Sequence, residues 1–277
     1  MLEYKLDLPV GYVPGTWKEE PLVEPFTEIT VFFGTNRSKA REGVYYGFGR
    51  DSMHYGRCLV SVPVKRKFGT VPRPSIWTLY RGDRTKHFLI QDIAEDNHSD
   101  FLQNLRQYLG GCSSSDALLF VHGFNVDFVS AILRTAQIAA DLNFPGASLL
   151  FSWPSKGALS LLAYTHDEEQ ARWALRDLRE FLEHVAEESG ATTIHLLAHS
   201  MGNRALTEAL GRIGAATSRR SGTIFNEIVL TAPDIDTDTF VHDIAPAIVP
   251  TAKRVTLYAS SKDVALSLWA PFVLSAE

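Results

Sequence analysis

From Asp116 onward the chain follows one repeating pattern: short apolar runs ending in turn-forming residues alternate with stretches whose apolar residues recur at helical spacing. ALLFVHGF, ASLLFSWPS, TIHLLAHS, EIVLTAPD and RVTLYASS each hold four or more apolar residues between turn formers. A strand covered on both faces reads this way, because neither of its sides can be polar. The intervening segments are long enough for right-handed crossovers between parallel strands. The pattern therefore predicts an α/β fold with a mostly parallel, doubly wound sheet and helices on both faces. One helix is expected over Glu168–Val185, with Ala171, Leu175, Leu178, Leu182 and Val185 as its buried stripe. Asp177, Glu180 and His184 fall on the opposite, solvated side, and Gly190 acts as the stop.

The first third is built differently. FTEITVFFGTNRS, GRCLVSVPV and SIWTLYRG are β-branched and aromatic runs bounded by turn residues, which predicts a strand-rich N-terminal elaboration. Residues 1–25, rich in Pro and Gly, read as an irregular arm, and residues 26–277 as a single domain. Asp100–Leu109 has helical spacing, and Gly110–Ser115 breaks the chain before the central sheet. With 45% apolar and 21% charged residues the chain can build a sizeable core. A net charge of −5 gives no basic footprint for nucleic acid, and Lys65, Arg66 and Lys67 are too short a run to change that. Cys58 and Cys112 lack a close-spaced pairing motif and cannot make a metal site alone, so reduced, buried thiols are expected. No apolar run reaches the length of a membrane span and the N-terminus lacks a signal-peptide pattern, which makes the cytoplasm the expected location.

In doubly wound sheets ligands bind beyond the carboxyl ends of the strands. That rule singles out His122–Asn125, Trp153–Ser155, Ser200–Gly202, Asp234–Asp236 and Asp263. Ser200 lies between an apolar strand-like run and the helical run NRALTEALGRI, as a nucleophile on a strand-to-helix elbow requires. The positions two before and two after it must be small, and they are Ala198 and Gly202. Acyl transfer needs two backbone N–H groups aimed at a developing oxyanion. Met201, after the nucleophile, supplies one, and Phe124, in the His-Gly turn after an earlier strand, is the candidate for the other. Gly123 permits the tight turn, His122 braces it, and Asn125 orients the loop or caps the next helix.

Asp263 is the favoured acid, with Asp234 the runner-up unless it caps a helix. The base is the difficulty, because in this arrangement a histidine should follow the acid and none follows Asp263. The preferred explanation is a chain truncated at its C-terminus. Otherwise His242, on a helix, or His122 substitutes, or the protein is not a working triad enzyme. His199 is expected to point away from Ser200.

FGTNR, YGRCLVSVP, FVHGFN, SWPS, AHSMGNR, APDID and LYASSKDVAL occur in this order along the chain. In these motifs the chain resembles a bacterial α/β-hydrolase family of unknown function, which is similar to serine esterases and lipases. The resemblance implies the α/β-hydrolase fold, Ser200 as nucleophile, Asp263 as acid and a histidine beyond it. The Ser200 bend and the His-Gly loop predict cleavage of an ester, thioester or amide, with a small-molecule acyl ester as the expected substrate, through an acyl-enzyme and without metal or organic cofactor. Two alternatives remain open: an acyltransferase, and a binding or interaction module that keeps the pocket without the chemistry. Ser155–Asp167 is a candidate lid, and Trp153, Tyr164, Trp173 and Trp269 are read as core before pocket.

Overall fold

Central strands that are apolar throughout require cover on both sides, and the computed structural model supplies it. It describes residues 24–40, 45–74, 82–156, 161–217 and 223–259. Within these, β1 (Phe26–Lys39), β2 (Tyr46–Pro63), β3 (Leu89–Asp96), β4 (Asp116–Val121), β5 (Ala147–Ser152), β6 (Thr193–His199), β7 (Phe225–Thr231) and β8 (Ala252–Tyr258) form one sheet in the order β3-β2-β1-β5-β4-β6-β7-β8. β1, β5, β4, β6, β7 and β8 pair in parallel, whereas β2 and β3 add antiparallel at one edge. The expected mostly parallel sheet with a strand-rich N-terminal addition is what forms.

Side-chain alternation along the strands separates two cores. On one face Phe32, Leu149 and Leu196 meet the helices α1 (His98–Gly111), α4 (Leu175–Glu188) and α5 (Gly202–Thr217) through Leu105, Leu178 and Leu206. On the other, Phe33, Val60 and Leu150 meet α2 (Phe128–Asp141) through Phe128, Ile132 and Ala136. The chain leaves β4 through α2 toward β5, and leaves β6 through α5 toward β7. These connections run to opposite faces, so the crevice between the carboxyl ends of β4 and β6 is the switch point where ligands bind in such sheets.

The structure departs from the sequence reading in four places. The helix expected over 168–185 is two helices, α3 (Leu161–Trp173) and α4, parted at Ala174, whose ψ of −8° interrupts the regular turn. Asp177, expected in solvent, is buried, and its carboxylate accepts a hydrogen bond of 2.9 Å from Nδ2 of the equally buried Asn36. His184 is half-buried, with its ring 4.4 Å from that of His98 and a 3.0 Å contact between Nδ1 and His98 Nε2. Finally, β3 is a strand that no clean alternation announces. Gln91, Asp92, Glu95 and Asp96 make it polar, as suits a strand at the edge of the sheet among the described residues.

Cys58 is buried and Cys112 half-buried, both as free thiols, and burial pushes the Cys58 thiol up. The arm over residues 1–23, the SIWTLYR run, Asp263, Trp269 and the last residues lie outside the described residues.

Candidate active site

The site is built where β6 turns into α5. Ser200 has φ of +51°, the left-handed region that a residue with a Cβ rarely occupies. Two contacts hold it there. Its N–H donates to Thr231 O at the end of β7 (3.0 Å), and the buried Asn203 side chain donates to both Ser200 O (2.8 Å) and Thr231 O (3.0 Å). Strand β6 and helix α5 thus meet at a strained bend, with Ser200 half-buried at the tip and Met201 fully buried beneath.

Gly202 and Gly123 let the turn after β4 lie directly against this bend. A Cβ on Gly202 would stand 2.4 Å from His122 O and 2.8 Å from Val121 O. One on Gly123 would stand 2.8 Å from His199 O and 3.0 Å from the Ser200 Cβ. The two sequence-predicted loops therefore touch backbone to backbone, which brings His122–Asn125 and Ser200–Gly202 into one place. Trp153 and Ser155 border the same turn from the end of β5, and Asp234 lies beyond the end of β7.

His122 is a brace. Its ring is buried and stacks on Trp153 at 5.0 Å, while the Trp153 indole N–H donates to His122 O (2.9 Å). Arg37 can only donate, so His122 Nε2 accepts from it (3.3 Å); the ring hydrogen then sits on Nδ1 and is donated to Gly123 O (2.9 Å). Burial, and next the Arg37 charge, pull His122 down to about 3. The sign follows: the folded state excludes a proton that the unfolded chain takes up below its ordinary value near 6.5. Stability should therefore fall as the pH drops from about 6.5 toward 3, by up to about 1.4 kcal/mol per pH unit for this one proton. Urea unfolding at several pH values should show that slope in the natural protein and a flatter one in His122→Asn; equal slopes would remove His122 as its source.

Asn125 is not the helix cap. Asp127 caps α2 by accepting from Ser130 N (2.6 Å), and Asn125 instead takes a left-handed turn with φ of +59°. The cap before 237–239 is likewise Asp236 (2.9 Å to Thr239 N) and not Asp234. Asp234 is nearly buried; its carboxylate accepts from the Tyr164 hydroxyl and from Arg204 (3.2 Å), and the hydroxyl is pushed upward first by burial and then by that carboxylate. His242 lies exposed on a π-helical turn, Phe240–Ile244. Trp153 is core, whereas Trp173 is partly exposed with the Arg50 guanidinium 5.1 Å over its ring.

Two polar residues that sequence reasoning did not assign complete the site. Arg37, from FGTNR at the end of β1, is 1% exposed and donates to Ser152 Oγ (2.9 Å) and to the carbonyls of Gly47 (3.0 Å), Ser155 (3.0 Å) and Val126 (2.8 Å). Burial lowers it to about 9, which leaves it charged at neutral pH. Asp167, on α3, is buried and accepts from Ser155 Oγ, Lys156 N and Asn125 N. Arg37 could have been suspected from its place in a motif, but nothing in the α3 pattern separates Asp167 from a solvated helical acid.

One cavity borders the bend, and a second lies further along α5. The first, of about 520 Å³ and bordered by Phe120, His122, Gly123, Arg134, Leu197 and His199, opens on the α2 face. The second, of about 600 Å³, runs along α5 past Arg204, Thr207, Asp234 and Ile244. Among the described residues no three His, Cys, Asp or Glu side chains converge as metal ligands would, and no helix is long and apolar enough to cross a membrane.

The profile of an α/β-hydrolase family of unknown function (DUF900) matches residues 97–274, well over half of the chain. The chain belongs to this family. Its mostly parallel eight-stranded sheet with flanking helices is consistent with the α/β-hydrolase fold. No curated protein matches it. Among solved structures it is similar to a brefeldin A esterase, a bacterial homologue of human hormone-sensitive lipase, at 12% identity and a TM-score of 0.28. That likeness covers 87% of this chain and 48% of the esterase, so the chain spans about half the length of that protein.

Proposed function

We propose that this α/β hydrolase is a serine esterase that cleaves a small acyl ester through a covalent intermediate at Ser200. The observation that carries the reading is the left-handed Ser200 at the β6–α5 bend, packed through Gly123 and Gly202 against the turn after β4. Strain of this kind costs about 1–3 kcal/mol and persists where surroundings enforce it, typically at reacting groups. In the proposed reaction Ser200 Oγ loses its proton to a base and bonds to the ester carbonyl carbon. The carbonyl oxygen takes the negative charge, facing the N–H groups of Met201 and Phe124. Collapse expels the alcohol, which takes up the proton, and water then releases the acid. Asp263 is the proposed acid partner. The base is not assigned to His122, since both of its ring nitrogens are already engaged.

A fluorophosphonate reporter should form one adduct per chain, and peptide mapping should place it on Ser200. An adduct elsewhere, or none at millimolar reagent, would remove the proposed nucleophile.

A further inference from the structure

We infer that Asp167 is a positioning residue: through Ser155 it clamps the turn that carries Phe124, and so sets where the proposed oxyanion donor stands. The inference rests on the serine-esterase reading for its catalytic consequence, and on geometry for the clamp itself.

The turn after β4 has little regular structure to hold it. It contains Asn125 in a left-handed conformation, and α2 begins only at Phe128. Its shape must come from outside the segment; Arg37 and Trp153 hold its carbonyls, and three further hydrogen bonds, running through Asp167 and Ser155, hold its amides. Asp167 Oδ2 accepts from Asn125 N (3.4 Å) and from Ser155 Oγ (2.5 Å), and Ser155 Oγ in turn accepts from Val126 N (3.1 Å). The other carboxylate oxygen, Oδ1, accepts from Lys156 N (2.9 Å), which ties the chain after β5 to the same point. One fully buried carboxylate therefore gathers two consecutive amides of the turn, one directly and one through a hydroxyl.

A carboxylate suits this task because every group facing it is a donor. Asn125 N, Lys156 N and the Ser155 hydroxyl all point hydrogens at it, and so does His166 Nδ1 (3.4 Å), since His166 Nε2 accepts from Gln170 Nε2; the Arg37 charge is nearby. An asparagine of the same shape must turn its NH2 toward at least one of those donors, which loses a bond and adds a repulsion. The element carrying the carboxylate is itself fixed. One turn earlier on α3, Tyr164 packs its ring edge-on against Phe124 at 5.5 Å and donates its hydroxyl to Asp234. The described part of the candidate lid is thus a wall that presses on the turn from two adjacent positions on α3.

Oxyanion donors act only at the right distance, and a displacement of about 1 Å can cost about 100-fold in rate. Asp167→Asn should therefore slow both fluorophosphonate addition and short-ester turnover about 30- to 100-fold, with KM within about twofold of the natural value. The adduct should still reach one per folded chain. Ser155→Ala, which leaves the carboxylate in place but breaks the link to Val126, should show the same split with a smaller loss. Hydrogen exchange should accelerate at Asn125 and Val126 in Asp167→Asn, and at Val126 alone in Ser155→Ala.

Unchanged exchange at these amides in both variants would overturn the clamp while leaving Ser200 as nucleophile. Faster exchange with an unchanged rate constant would overturn its role in the reaction, as would a drop in adduct stoichiometry at constant rate, which marks a merely unfolded fraction. If the natural protein forms no adduct at Ser200, the esterase reading fails first and this inference falls with it.

Discussion

Ser200→Ala should lower turnover of a short acyl ester by about five orders of magnitude while leaving the fold as it is. The size follows from covalent catalysis: without the hydroxyl no acyl bond forms, and only binding and electrostatic stabilisation by the surroundings remain. The unchanged fold follows from the backbone. Serine and alanine carry the same Cβ into the left-handed region, so the strain at φ of +51° is common to both. The Ser200 contacts that hold the bend, from its N–H to Thr231 O and from Asn203 Nδ2 to its carbonyl, are made by main-chain atoms. Thermal midpoints should agree within about a degree, so a loss of activity reports chemistry. A variant that keeps a tenth or more of the natural turnover would exclude the covalent route.

Arg37→Leu should destabilise the protein by about 3–5 kcal/mol, read as a fall of roughly 10 °C in the thermal midpoint. Replacing a buried charge by an apolar side chain is often harmless when its partner is replaced as well. Here that route is closed, because three of the partners are the main-chain carbonyls of Gly47, Ser155 and Val126, which no substitution removes. The Ser155 carbonyl loses its donor in a buried place and those of Gly47 and Val126 in partly buried ones. Arg37→Lys should recover only part of the loss, since one ammonium cannot reach the positions served by a planar fork. A Leu variant within 1 kcal/mol of the natural protein in urea unfolding would show that the carbonyls find other donors.

Much of the architecture was legible because apolar runs have a length and a period that backbone geometry enforces. β5, buried along all six residues, could hardly be anything but a central strand. The same logic located the Ser200 bend from the strand-like run before it and the helical run after it. What stayed hidden depends on pairing in space. The break at Ala174 carries no Gly or Pro to mark it, and the polar β3 lies at the edge of the sheet that the described residues form. Asp177 and Asp167 look like solvated helical acids until Asn36 and Ser155 are seen opposite them. Asn125 and Asp127 are both good caps by type, and only the backbone angle at Asn125 decides between them.

The meeting of the two loops at Gly123 and Gly202 has an evolutionary consequence. Because main chain rests on main chain there, the spacing between the serine bend and the neighbouring turn does not depend on the identity of the cavity-lining residues that stand back from the contact, such as Arg134, Leu197, Thr207 and Ile244. Those linings can drift toward new molecules by ordinary mutation without disturbing that spacing, whereas the two glycines themselves have almost no freedom to change.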